Sequence, residues 1–110
     1  MKKVVYYARV STEEEKQLNA LDNQIKMLED FINGQLEWQL VDKYIDEGIS
    51  GTTTKNRKEY NRLYEDLLTD KFDIIVIKDQ SRLNRNVLDY YQFVDRMVKN
   101  EKQLFYYSDN

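Results

Sequence analysis

Asp73-Ile74-Ile75-Val76-Ile77 carries four consecutive β-branched apolar residues between polar neighbours. A short unbroken run of this kind reads as a strand buried on both faces, the signature of a parallel sheet covered by helices on each side. The flanking segments fit that frame. Upstream, residues 57–69 read as a helix that turns Tyr60, Leu63, Tyr64, Leu67 and Leu68 inward. Downstream, residues 78–85 read as a loop and 86–99 as a helix with Val87, Tyr91, Val94 and Val98 on one face. Gln103 to Tyr107 then starts a further strand. Nearer the N-terminus, Val4 to Ala8 is a strand and residues 13–33 a helix with Leu18, Leu21, Ile25, Leu28 and Ile32 along one side. Thr12 with Glu15 forms a capping box, and Gly34 stops this helix. Leu36 to Ile45 is a second strand. A polar loop over 46–56 follows it and holds two of the three glycines. Strands alternating with helices predict an α/β fold of three layers, αβα, with a mostly parallel central sheet and helices on both faces. Residues 1–110 are expected to form one domain. Ending on a fourth strand without a closing helix reads as a truncated fold from a longer protein.

Composition narrows the chemistry. Charged residues make up 34% of the chain and hydrophobic ones 41%, as in ordinary soluble domains. No apolar run approaches membrane-spanning length, and the N-terminus does not read as a signal peptide, so a cytoplasmic location is expected. The absence of cysteine excludes disulfides and thiolate catalysis within the chain. The absence of histidine removes the usual general base and the commonest metal ligand. With a net charge of −3 and pI of about 5.0, a nucleic-acid contact has to be local or supplied by another part of the protein.

Ligands of open α/β sheets bind outside the carboxyl ends of the strands. The three loops after the first three strands bring Arg9, Ser11, Arg57, Arg82 and Arg85 to one such edge, with Lys78 beside them. Guanidinium is planar, permanently charged and bidentate towards phosphate oxygens. Pre-placed arginines can stabilise the charge that develops when a hydroxyl attacks a phosphodiester, each contributing about 3 kcal/mol by analogy with an oxyanion-hole donor. Ser11 is the candidate nucleophile and would form a covalent phosphoserine. Asp46, Glu47 and Asp79 lack metal-ligand spacing, so no metal is expected.

Four segments resemble the serine recombinases, the resolvase and invertase family. Tyr7-Ala8-Arg9-Val10-Ser11-Thr12 is similar to the nucleophile motif, and Leu21-Asp22-Asn23-Gln24 to a helix motif that ends in glutamine. Asp46-Glu47-Gly48-Ile49-Ser50-Gly51-Thr52 with Arg57 resembles the active-site loop, and Ser81-Arg82-Leu83-Asn84-Arg85 the double-arginine motif. The loop form and the Ser81-Arg82-Leu83 variant look most like the large serine recombinases, the integrases and transposases of mobile elements. The resemblance implies a resolvase-like fold and a site-specific DNA recombinase. Ser11 would be the nucleophile giving a 5′-phosphoserine, and Arg9, Arg57, Arg82 and Arg85 would hold the scissile phosphate. Gln24, Asp46, Lys78 and Ser81 would support the site. It further implies double-stranded DNA as the partner of the full-length protein, a dimer and a synaptic tetramer, and no metal or ATP.

The chain departs from the family pattern in places. Ser81 stands where small resolvases carry aspartate, so no general base is assigned. Lys58 follows Arg57 where many relatives have proline. The long helix and DNA-binding domain of the family are expected to lie outside these residues. Simpler roles stay open: Gln24 as a solvated side chain, Asp46 as a cap of the turn before Gly48, and Arg82 and Arg85 as solvated cations at a helix start. A non-catalytic phosphate- or nucleotide-binding α/β module and a degenerate regulatory relative are the competing functions.

Overall fold

The computed structural model describes residues 1–10, 20–47, 57–84 and 86–107. Four strands, β1 (Lys2–Val10), β2 (Trp38–Glu47), β3 (Ile74–Ile77) and β4 (Gln103–Tyr106), form one sheet in the order β2-β1-β3-β4. Every neighbouring pair is parallel. Helix α1 (Ala20–Asn33) covers one face. Helices α2 (Lys58–Asp66), α3 (Gln80–Leu83) and α4 (Val87–Lys99) lie on the other. The architecture is the three-layer αβα fold expected from the run at Ile74–Ile77, which is buried throughout.

Strand alternation divides β1 between the two cores. Val4, Tyr6 and Ala8 pack with Ile74, Val76 and the α1 residues Leu28 and Ile32. Val5 and Tyr7 pack with Ile75, Ile77 and Phe72, under Tyr60, Leu63 and Leu67, Leu83, and Phe93 and Met97. Arg9 has the same parity as Val5 and Tyr7, so its side chain projects towards the α2 and α3 side. The β1–β2 ladder runs as far as Val10↔Glu47 and sets Arg9 opposite Asp46. The β1–β3 ladder ends earlier, at Tyr7↔Ile77.

Several elements differ from the sequence expectation. β2 lies two residues further along than the span 36–45, because its pairing with β1 carries it to Glu47. The segment 78–85 holds the single turn α3 instead of a plain loop. Asp79 caps it, its carboxylate accepting from Ser81 N at 3.0 Å. Arg82 accordingly lies in the last turn of α3 and not at the start of the next helix. Helix α4 buries a different stripe from the one expected. Phe93 and Met97 are in the core with Tyr90 and Val94 packed against it, while Val87, Leu88, Tyr91 and Val98 are exposed. The stripe that meets the sheet is thus Tyr90, Phe93, Val94 and Met97. Leu68, also expected inward, lies past the end of α2 and is exposed. The expected helical residues 13–19, the Thr12–Glu15 box and Leu18 lie outside the described residues.

The outer side of β2 is tied to α2 by an ionic cluster. Asp42 accepts from Lys71 Nζ at 2.5 Å and Arg62 Nη1 at 2.8 Å, while Arg62 also pairs with Glu59 at 2.7 Å. The Arg62 guanidinium lies 4.1 Å from the centre of the Tyr44 ring, and Tyr44 donates its hydroxyl to Asp66 at 2.7 Å. Partial burial alone would raise the Asp42 carboxyl, but hydrogen bonds from Lys71 and Arg62 outweigh it and hold the group well below its ordinary value. A carboxyl lowered in the folded state stabilises the fold above its unfolded pKa, and that contribution is lost as pH falls below it. The thermal midpoint should therefore drop as pH is taken below about 4, and Asp42→Asn should start from a lower midpoint at neutral pH and fall less steeply. Melting curves across that range check both slopes.

Candidate active site

The carboxyl edge of the sheet gathers an unusual amount of buried polarity. Arg9, Arg57, Gln24, Asp46 and Asn84 are all buried there, and Arg9 and Arg57 are fully so. Buried charges are costly unless hydrogen-bonded or paired, so their partners define what the site is built to do.

Arg9 is held at both main chain and side chain. The β1–β3 ladder has ended two residues earlier, and the side-chain amide of Gln24 takes the place of a strand. Arg9 N donates to Gln24 Oε1 at 3.1 Å, and Gln24 Nε2 donates to Arg9 O at 3.1 Å. Gln24 is thus no solvated residue of α1 but a clamp on β1. On the other face the guanidinium reaches α3. Nε donates to the Arg82 carbonyl at 3.0 Å and Nη2 to the Ser81 carbonyl at 2.5 Å. These carbonyls belong to the short helix that Asp79 caps, so the cap sets where Arg9 points.

Arg57 precedes α2 and is held by a phenol and a carbonyl. Its Nε and Nη2 donate to Tyr7 OH at 3.2 and 2.8 Å, and Nη2 also donates to the Arg82 carbonyl at 3.2 Å. Arg9 and Arg57 therefore converge on the same backbone oxygen. The Arg57 guanidinium lies 4.3 Å from the Tyr60 ring centre and 5.4 Å from that of Tyr7. It makes no ion pair among the described residues, and its Nη1 is buried without a hydrogen-bond partner there.

Tyr7 passes the interaction on to a carboxylate. Its hydroxyl donates to Asp46 Oδ2 at 2.8 Å. Burial drives the Tyr7 phenol well above its ordinary value, with the Arg57 charge opposing and Asp46 adding to the rise. It stays protonated, able to accept from Arg57 while donating to Asp46. Asp46 also accepts from the backbone of α2, from Glu59 N at 3.1 Å and Tyr60 N at 3.0 Å. Arg57, at the N-cap position, offers no capping side chain, and the carboxylate at the end of β2 supplies the cap. Asp46 thus caps a helix that is distant in sequence; the turn before Gly48 lies outside the described residues.

Of the remaining expected residues, Lys78 is half-buried directly after β3. Arg82 is half-buried and Ser81 exposed, its hydroxyl donating to Asp79 Oδ1 at 2.5 Å. Ser11 and Arg85 lie outside the described residues, as does the loop 48–56. Sequence reasoning missed Tyr7, Tyr60 and Asn84 as parts of the site. Tyr60 donates to Asn84 Oδ1 at 3.2 Å. The available signal was the placement of Tyr7 two residues before Arg9 on the same face of β1. Among the described residues no group of three or more His, Cys, Asp or Glu could hold a metal ion, and no helix is long and apolar enough to cross a membrane.

Residues 4–110 match the family model for the resolvase N-terminal domain. The chain belongs to the resolvase family. Among solved structures, the N-terminal catalytic domain of TP901-1 integrase superposes with a TM-score of 0.83 at 32% identity, over 96% of this chain and 77% of that one. A resolvase family site-specific recombinase from Streptococcus pneumoniae gives a TM-score of 0.82 at 27% identity, over 99% and 74% of the two chains. The C-terminal catalytic domain of ISC1926 TnpA, an IS607-like serine recombinase, shares the fold with a TM-score of 0.79 at 23% identity, over 98% of this chain and 71% of that one. No curated protein matches the chain by sequence. The resolvase fold accounts for the edge where the polar residues gather. The particular network around Arg57 is read from this chain's own side chains.

The network makes Asp46 a structural hinge of the site. Asp46→Ala removes the α2 cap and strands the Tyr7 hydroxyl, and should lower unfolding free energy by roughly 1–3 kcal/mol. Urea denaturation of the variant and of Tyr7→Phe measures this. A double variant that loses less than the sum of the two singles shows that they act through one network.

Proposed function

We propose that this resolvase-family chain is the catalytic domain of a site-specific DNA recombinase, with Ser11 as the nucleophile. The Ser11 oxygen attacks the scissile phosphorus and the bond to the 3′ oxygen breaks. The DNA 5′ end is left on the serine and the 3′ oxygen departs as a free hydroxyl. The serine's proton leaves to a base that we do not assign. Reversal, with a 3′ hydroxyl attacking the phosphoserine, reseals the strand without an external energy source. Arg9, Arg57, Arg82 and Arg85 bind the phosphate and stabilise the added negative charge. Gln24 and Asp46 hold the first two in place, and Lys78 and Ser81 complete the supporting set. The partner is double-stranded DNA, engaged by the full-length protein as a dimer that pairs into a synaptic tetramer.

The observation that carries this reading is Arg57. A guanidinium buried with no ion pair among the described residues, and with one nitrogen unsatisfied there, is suited to receive an anion at the sheet edge where α/β folds bind their ligands. The same observation would serve a non-catalytic phosphate-binding module, so the test has to separate binding from chemistry. Full-length protein is incubated in chelator with DNA carrying the ends of its own element, then quenched in denaturant. A covalent adduct on DNA 5′ ends should form and should vanish in Ser11→Ala, while DNA binding survives. Binding without an adduct in the unaltered protein would refute the recombinase reading in favour of the module.

A further inference from the structure

Tyr60, like Tyr7, touches both the core and the site. It lies one helical turn after Arg57, so its ring comes under the guanidinium, 4.3 Å from the ring centre. Its position is fixed from every side. The hydroxyl donates to Asn84 at 3.2 Å, and the backbone N–H donates to Asp46 at 3.0 Å. The ring meets Tyr7 edge-on at 6.0 Å and 76°, lies parallel to Tyr64 at 6.3 Å and 8°, and is tilted against Phe93 at 5.7 Å. Tyr7 and the Arg82 carbonyl engage Nε and Nη2 of Arg57 and so fix its rotation within the guanidinium plane. The Tyr60 ring adds a contact against the face of the same group.

We propose that Tyr60 is a positioning residue for Arg57, its π face holding the guanidinium in place while Nη1, which has no hydrogen-bond partner among the described residues, is kept for the scissile phosphate. The inference rests on the recombinase reading above. A cation–π contact of this kind attracts a cation without neutralising it. A carboxylate at the same place would satisfy Nη1 and compete with the phosphate. Tyr60 thereby stabilises a buried cation and leaves its charge available.

Replacing the ring with leucine would disturb packing as well as charge, so the test keeps the shape. In full-length protein, Tyr60→Phe is the reference, and phenylalanines bearing one, two and three ring fluorines are incorporated at the same position. Fluorine withdraws electrons from the ring face and leaves its size nearly unchanged. At saturating DNA, the single-turnover rate of adduct formation should fall stepwise, by about thirtyfold over the series, the rate equivalent of a desolvated cation–π contact. The thermal midpoint should fall along the same series, because the ring stabilises a buried cation, but the protein should stay folded at the assay temperature with DNA affinity level, so that the falling rate reports how Arg57 is held and not a loss of folded protein. Ring-fluorinated tyrosine, which keeps the hydroxyl for Asn84, should move the rate in the same direction and guards against a folding defect in the phenylalanine series. An active unaltered protein with a flat series overturns the inference alone. An unaltered protein that forms no adduct overturns the proposed function and this inference with it.

Discussion

A fully buried guanidinium with no ion pair among the described residues is the constraint around which this end of the molecule is arranged. Desolvating a cation is expensive, and a directly apposed carboxylate would be the ordinary remedy. Here the carboxylate of Asp46 is kept one residue away, behind the Tyr7 hydroxyl. The phenol accepts from Arg57 and donates to Asp46, so negative charge reaches the arginine attenuated. Arg57 is stabilised by a phenol, a carbonyl and two ring faces. Each favours the cation weakly enough to leave room for a stronger partner.

The same economy of parts links the site to the fold. Asp46 is at once the end of β2, the cap of α2 and the terminus of the Tyr7 relay. The Arg82 carbonyl belongs to α3 and orients both Arg9 and Arg57. Gln24 reaches from α1, on the opposite face of the sheet, to bind the main chain of Arg9. The site is thereby bonded to both helical layers, and none of these residues can shift without disturbing a strand end or a helix start.

The layer architecture was legible because it rests on period and run length. Ile74 to Ile77 reads as a doubly covered strand, and the alternation along the chain leaves few other folds. The arginines were legible as a group because strand ends in a parallel sheet share an edge. Helix α4 was misread for a definite reason. Val87, Tyr91, Val94 and Val98 repeat at helical steps, but so do Tyr90, Phe93, Val94 and Met97, and local sequence does not say which stripe meets the sheet. The reach of Asp46 to α2, of Gln24 to β1 and of Tyr60 to Asn84 depends on contacts between distant segments. Periodicity carries no information about them. Tyr7 was read as strand and as the start of the nucleophile motif but given no role in the site, because a tyrosine in an apolar run looks like core, which it also is.

The cap on α2 has a bearing on how this region tolerates change. Asp46 and Arg57 bracket the segment between β2 and α2, and the Asp46 carboxylate is bonded to Glu59 and Tyr60 just beyond it. The ends of the segment are thus clasped together by side chain and backbone, whatever lies between them. Closing a longer loop between fixed ends costs only about 0.6 kcal/mol for each doubling of its length. Lengthening the connection between Asp46 and Arg57 should therefore cost folding little, and the arginine that follows keeps its place.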